Sequence, residues 1–176
     1  AYSNLGRILL DLGKLEELVL ISKSIIESLS FNEGYKLCAL INITISNLLL
    51  NDYAETYIYL NKTKGLISKK TINIIKGEKN KKFVSNYFNF INSLYPLLEK
   101  RNNNRELKKI PHIGESHCLS FAYQTLSISS QLKQIKPVLI QGAKAWHFSN
   151  KKHNKVKDSL NQQIKKQNYS DEIFIS

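Results

Sequence analysis

The chain has 176 residues, enough for one domain of average size or two small ones. Apolar residues make up 42% and charged residues 23%, so the chain can bury a core and is not predominantly disordered. With 7 glycines and 3 prolines it is not collagen-like or of low complexity, and no apolar run approaches the ~18 residues of a transmembrane helix. Two cysteines, Cys38 and Cys118, are too few for a disulfide framework and are expected to be reduced.

The net charge of +12 is distributed unevenly along the chain. Residues 1–60 carry 4 basic and 7 acidic side chains, residues 61–110 carry 13 and 3, and residues 111–176 carry 9 and 4. The basic residues of the 61–110 segment favour an anionic polymer, such as a nucleic acid or an acidic glycan, as a partner. However, the chain has no recognised nucleic-acid motif, and Lys, Asn and Ile are all encoded by AT-rich codons. Base composition is therefore a competing explanation, and nucleic acid ranks last among the expected partners.

The two ends of the chain interrupt predicted elements. Ala1 stands inside a predicted helix, Ser176 ends a predicted strand, and methionine is absent. We therefore expect a fragment of a longer protein, truncated at both ends. A cytoplasmic location is the default expectation for a sequence without a targeting signal, but in a fragment that absence carries little weight.

The first 30 residues predict a helix, a tight turn and a second helix. Apolar residues recur at helical spacing up to Leu12, and Gly13 permits the left-handed backbone that follows many helix ends. The segment resembles a tetratricopeptide repeat at the motif's large, Leu-Gly and large positions, which are Tyr2, Leu5, Gly6 and Leu9. Residues 11–17 (DLGKLEE) match the usual inter-helix turn, whereas Leu18 and Ile25 stand where the motif has small residues.

A weaker copy of this pattern has its turn at residues 51–55 and predicts helices over 37–48 and 57–66. Residues 69–76 and 82–99 predict two further helices, and Pro96 should end or kink the second of them. The apolar stripe of that second helix is interpreted as core packing. We interpret residues 1–100 as a degenerate tetratricopeptide-like helical region that binds a partner protein, and the polar residues 101–108 as a linker.

From residue 109 onward the pattern predicts an α/β domain. Short strands are predicted at 109–113, 137–140 and 172–175, with helices at 119–132 and 155–167 between them. Alternation of strands and helices is typical of a parallel sheet. Three strands are too few for a complete domain, so residues 109–176 are expected to be its N-terminal part.

The segment 112–118 (HIGESHC) stands where the first predicted strand gives way to the first helix. Ligands bind at the carboxyl ends of the strands in open α/β sheets. Gly114-Glu115-Ser116 here, with Gly142 just after the second predicted strand, resembles the SGNH (GDSL-type) hydrolases. Residues 107–176 are similar to the C-terminal part of bacterial proteins that join tetratricopeptide repeats to such a domain.

The resemblance implies a flavodoxin-like three-layer fold and hydrolysis of an acyl ester. Ser116 matches the family nucleophile, and the backbone N–H groups of Ser116 and Gly142 match two donors of the oxyanion hole. Glu115 stands where the family has Asp. The family's Asn, Asp and general-base His would lie beyond Ser176, so this chain by itself is expected to be inactive.

Two further roles remain open for the local histidines. His147 follows Trp146 after the second predicted strand, where it is a candidate base for Ser116 or a substrate contact. A metal site would draw on His112, His117, Cys118 and His147, but their spacing matches no standard zinc pattern. No cofactor and no metal are expected.

Three functions follow from these patterns. The leading one couples protein binding by the helical repeats to ester hydrolysis by the SGNH-like domain, on an acylated glycan or another ester. The second is a non-catalytic module that binds a protein or a ligand. The third is binding of an anionic polymer or nucleic acid through residues 61–110.

Overall fold

The computed structural model describes residues 2–98, 106–140, 153–165 and 174–175. The chain divides into two compact units, one of residues 1–10 and 14–99 and the other of residues 11–13 and 100–176. The first unit is helical and the second is built on a β-sheet, so helices are followed by an α/β part. Gly142 and His147, both candidate site residues, lie outside the described residues.

The helical unit contains six described helices. They are α1 (Tyr2–Asp11), α2 (Leu15–Glu27), α3 (Glu33–Leu49), α4 (Tyr53–Leu66), α5 (Lys69–Ile74) and α6 (Glu78–Leu98). Three of them begin at side-chain caps: the side chains of Asn32, Asp52 and Ser68 each accept a hydrogen bond from the backbone N–H three residues later. Such caps satisfy N–H groups that have no partner within the helix, which explains where α3, α4 and α5 start.

Helix α3 forms the centre of this unit. It packs against α2, α4, α5 and α6, and nearly all its residues from Gly34 to Leu49 are buried. A helix that is apolar around most of its circumference is expected to be enclosed by other elements instead of lying on a surface. Its largest fully buried side chains are Leu37, Ile41, Ile43, Ile45 and Leu48.

Two details of the helical unit bear on the predictions made for it. A Cβ on Gly6 would collide with the side-chain amide of Asn42, so the glycine allows α1 to approach α3 closely. Pro96 lies inside α6, which continues for two more residues to Leu98, so the helix does not end at the proline itself. None of the described helices has both the length and the apolar character needed to cross a membrane. The longest of them, α6, begins with four charged residues among its first five.

The second unit is a four-stranded mixed sheet with the strand order β2-β3-β1-β4. Its strands are β1 (Lys108–Gly114), β2 (Thr125–Ile128), β3 (Gln131–Leu139) and β4 (Phe174–Ile175). Both β3 and β4 pair with β1 in parallel, and β2 pairs with β3 antiparallel. The strand β1 begins inside the segment predicted as a linker. The parallel strands lie near their predicted positions, although β3 starts six residues earlier than expected.

The helix predicted over residues 119–132 is wrong. Instead, a 3₁₀ helix covers Ser116–Phe121, and a β-hairpin formed by β2 and β3 follows. Thr125 to Ile128 alternate polar and apolar residues, which is the strand period. Ser129 and Ser130 join the strands with positive φ angles of 50° and 63°, as a two-residue hairpin turn of the primed type requires.

Different elements cover the two faces of the sheet. Ile113, Val138 and Ile140 form an apolar cluster against Val156, Leu160 and Ile164 of helix α7 (Lys155–Ile164). On the opposite face, the 3₁₀ helix packs against β1 and β3. The helix predicted over 155–167 is therefore present, with Asn154 as its N-cap.

Candidate functional site at the end of strand β1

Ser116 lies immediately beyond the carboxyl end of β1. The strand ends at Gly114, Glu115 precedes the 3₁₀ helix in an extended conformation, and Ser116 is the first residue of that helix. The carbonyl of Glu115 accepts a hydrogen bond of 3.0 Å from the N–H of Cys118, which closes the first turn. Because Ser116 is only half-buried, its hydroxyl is placed where a ligand at the strand ends could reach it.

The ends of β1 and β3 lie side by side at this edge of the sheet. Gly114 pairs with Leu139 in the parallel register, and the N–H of Ile140 donates a 2.9 Å hydrogen bond to the carbonyl of Gly114. Ile140 precedes Gly142 by two residues, just as Gly114 precedes Ser116. This hydrogen bond holds the carboxyl ends of β1 and β3 side by side. Gly142 itself lies outside the described residues.

His112 lies beneath the 3₁₀ helix, on the face of β1 opposite to Ile113. Its ring makes an edge-to-face contact with Phe121 at 5.3 Å between centroids, and the residue is 5% exposed. Burial lowers the pKa of His112, the nearby His117 acts in the same direction, and a hydrogen bond with the backbone of Cys118 opposes both. The lowered pKa favours the neutral imidazole, and the hydrogen bond ties the ring to the helix that begins at Ser116.

The residues proposed as alternative metal ligands are not brought together in the part of the chain that the structure describes. Burial raises the pKa of the Cys118 thiol to about 12, so the thiolate that a metal would need is disfavoured. His117 is exposed, and among the described residues no group of three or more His, Cys, Asp or Glu side chains could hold an ion. His153 Nε2 instead lies 2.7 Å from Asp158 Oδ1, near the start of α7.

A second polar cluster, which the sequence did not indicate, connects three elements of the α/β unit. Lys109 Nζ donates to Gln134 Oε1 at 2.6 Å, and Gln134 Nε2 donates to the carbonyl of Tyr123 at 3.1 Å. Burial lowers the pKa of Lys109. Lys109 and Gln134 are paired in the sheet register, and only that register brings them together. The cluster supports the turn at Tyr123, whose φ is 59°, and lies at the amino end of β1, away from Ser116.

The fold and the site together define an α/β unit with a serine at the carboxyl end of a central parallel strand. Comparisons with protein-family models, with curated proteins and with solved structures find no match to this chain.

Proposed function

We propose that residues 109–176 form the nucleophile-bearing part of an SGNH-type hydrolase of acyl esters, with Ser116 as the nucleophile. The observation that carries the proposal is the hydrogen bond from the N–H of Ile140 to the carbonyl of Gly114. It aligns the carboxyl ends of β1 and β3, which precede Ser116 and Gly142 in the sequence. In the proposed reaction the Ser116 hydroxyl attacks the ester carbonyl, forms an acyl-enzyme and releases the alcohol, and water then releases the acid.

The order of the parallel strands supports the same proposal. Along the sheet, the second parallel strand lies beside the first, and the third lies on the first strand's other side. This is the order of the flavodoxin-like doubly wound sheet, in which ligands bind where the chain reverses direction across the sheet. Two features depart from the family pattern: Glu115 replaces Asp, and the hairpin β2–β3 stands where a helix was expected.

The test is ester hydrolysis by a chain that also supplies the family's Asn, Asp and His. With p-nitrophenyl acetate, Ser116→Ala should reduce kcat at least about a thousandfold, because it removes the group that forms the acyl-enzyme. Ser120→Ala is the matched control, since it removes a hydroxyl from the same 3₁₀ helix. A fluorophosphonate probe should label Ser116 and no other serine.

Two results would reject Ser116 as the nucleophile. One is full turnover in Ser116→Ala, and the other is equal loss in Ser120→Ala. A chain that folds, contains the family's remaining residues and neither hydrolyses esters nor reacts with the probe would support the non-catalytic alternative. The 176-residue chain alone should not turn over the ester.

A further inference from the structure

The positive charge of the helical unit is concentrated in its second half. Residues 61–98 contain eight lysines and a single acidic residue, Glu78. The lysines are at the end of α4, on α5, in the following turn and at the start of α6: Lys62, Lys64, Lys69, Lys70, Lys76, Lys79, Lys81 and Lys82. All are exposed except Lys81, which is half-buried and pairs with Glu78 at 2.7 Å. We call this set the α4–α6 lysine surface.

Within the helical unit, codon bias does not explain this concentration of charge. A bias towards AT-rich codons acts on the whole gene, yet residues 1–60 carry 4 basic and 7 acidic side chains. Two lysines of the preceding part of the chain form ion pairs, Lys14 with Glu17 and Lys23 with Glu55. Their positive charge is therefore balanced by nearby carboxylates. The lysine surface instead keeps a net positive field that attracts polyanions.

A pocket of about 100 Å³ opens beside these lysines. Amide side chains of Asn4, Asn32 and Asn80 line it together with Tyr35 and Lys76. This volume is well below the roughly 300–1,000 Å³ of sites for drug-sized ligands, so the pocket suits one small planar group that projects from a longer chain. Asn32 Oδ1 caps α3, and Asn80 Nδ2 donates to the carbonyl of Lys76. We therefore expect Asn32 Nδ2 as the donor and Asn80 Oδ1 as the acceptor that the polar edge of a nucleobase requires.

Aromatic rings continue from the pocket along α6. Phe83 follows Asn80 by three residues, so the two side chains are neighbours on the helix surface. Phe83 is half-buried, and the centroids of the Phe83 and Tyr87 rings are 4.7 Å apart. Rings that remain partly accessible beside lysines form the platform on which unpaired bases stack.

We propose that the α4–α6 lysine surface binds single-stranded nucleic acid, with phosphates on the lysines, a base in the amide-lined pocket and another on Phe83. Residues 61–98 contain no arginine, the residue that most often reads guanine in a duplex groove. Lysines act as point charges on the backbone, and accessible rings need bases that are not paired. The combination therefore favours a single strand over a duplex and predicts little sequence preference. This proposal is independent of the hydrolase proposed for the other unit.

Binding of a fluorescein-labelled 20-nucleotide oligouridine to the 176-residue chain, followed by anisotropy from 50 to 300 mM NaCl, tests the proposal. The association constant should fall linearly with salt on logarithmic axes. The double variant Lys79→Gln/Lys82→Gln should bind about tenfold more weakly at 50 mM salt, and its slope should be shallower by about 1.4, or ~0.7 for each lost phosphate contact. Lys108→Gln/Lys165→Gln removes the same charge from exposed positions of the α/β unit and should bind like the parent chain.

The variant Phe83→Leu separates stacking from charge. It keeps an apolar side chain but removes the ring, so affinity should fall about fivefold or more while the salt slope stays unchanged. Circular dichroism at 222 nm confirms that each variant retains its helices. Absence of binding at 50 mM salt, or equal weakening in the two lysine double variants, would overturn the proposal. Heparin or duplex RNA binding as tightly as the single strand would also overturn it, since only a single strand offers both phosphates and free bases.

Discussion

The two units differ in whether they bury Lys and His side chains. In the helical unit, the buried polar residues are neutral Ser, Thr and Asn side chains, and the described lysines lie at or near the surface. In the α/β unit, His112 and Lys133 are buried, and burial shifts the pKa of Lys109, His112 and Cys118. Charge on a surface acts at long range on a polymer, whereas titratable groups inside a fold are typical of sites of chemistry. This difference agrees with the two proposals made above, which are nucleic-acid binding by the helical unit and ester hydrolysis by the α/β unit.

The units also differ in how their cores are organised. The helical core is centred on one enclosed helix, α3, and every neighbour packs on it. The α/β core is divided by the sheet: α7 covers the face of Ile113, and the 3₁₀ helix covers the face of His112. A substitution in α3 should therefore affect a whole unit, while one on β1 should affect one face of a sheet.

The largest expected effect is that of Ile41→Ala in α3. Ile41 is fully buried, so its truncation should lower the free energy of unfolding by about 2–5 kcal/mol. Hydrogen exchange followed by mass spectrometry measures the loss separately for each unit. Protection should fall throughout α2, α3 and α4 and remain in β1 and β3.

Leu20→Ala is the matched control for Ile41→Ala, because Leu20 is a helical aliphatic residue that is 68% exposed. Its effect should stay within about 0.5 kcal/mol. Equal losses in the two variants would contradict the central position of α3. Loss of protection in β1 after Ile41→Ala would contradict the assignment of the two cores to separate units.

The next effect concerns His112 and the pH dependence of the α/β unit. Burial lowers the pKa of His112 in the folded state below its ordinary value of 6.5, which applies to the unfolded chain. At pH values between the folded-state and unfolded-state pKa, His112 therefore binds more protons in the unfolded chain. The unfolding free energy of this unit should therefore decrease as the pH falls from 7 through that window. His112→Gln cannot titrate there and should show a shallower decrease. It also loses the contact with Phe121, which should cost about 1 kcal/mol at pH 7.

Protection of β1 against hydrogen exchange at pH 7 and pH 5 measures both parts of this prediction. His153→Gln is the control, because His153 is exposed and pairs with Asp158 near the start of α7. It should leave the protection of β1 nearly unchanged at pH 7. An identical pH dependence in the parent chain and His112→Gln would show that His112 does not titrate differently in the folded unit.

Much of the architecture could be predicted from local patterns. The helices α1, α2 and α6 have clear apolar periodicity, and turn residues such as Gly13, with φ of 65°, mark an end of the pattern. The strands β1 and β3 contain short apolar runs, and Ser116 was expected at the end of the first. These features depend on neighbours in the sequence, so the sequence contains enough information to place them.

What could not be predicted depends on contacts between distant residues. The ring of His112 meets Phe121 only after the 3₁₀ helix folds back over β1, and Lys109 meets Gln134 only through the sheet register. The enclosure of α3 by four helices is likewise a property of packing. The hairpin was missed for a different reason. Leu119, Ala122, Leu126 and Leu132 fit a helical period by chance, and Ser-Ser is not a typical pair for a primed turn.

The smallest of the expected effects decides between the helix predicted over 119–132 and the hairpin observed there. Ser129→Asn/Ser130→Gly gives the turn the residues that tolerate positive φ, so it should raise the free energy of unfolding of the α/β unit by about 1 kcal/mol. In a helix the same changes would lower stability, because Asn and Gly are poor helix formers.

Ser127→Gly, in the exposed part of β2, should instead destabilise the unit by about 0.5–1 kcal/mol. Urea unfolding measures the three chains, and the sign of the double variant separates the two structures.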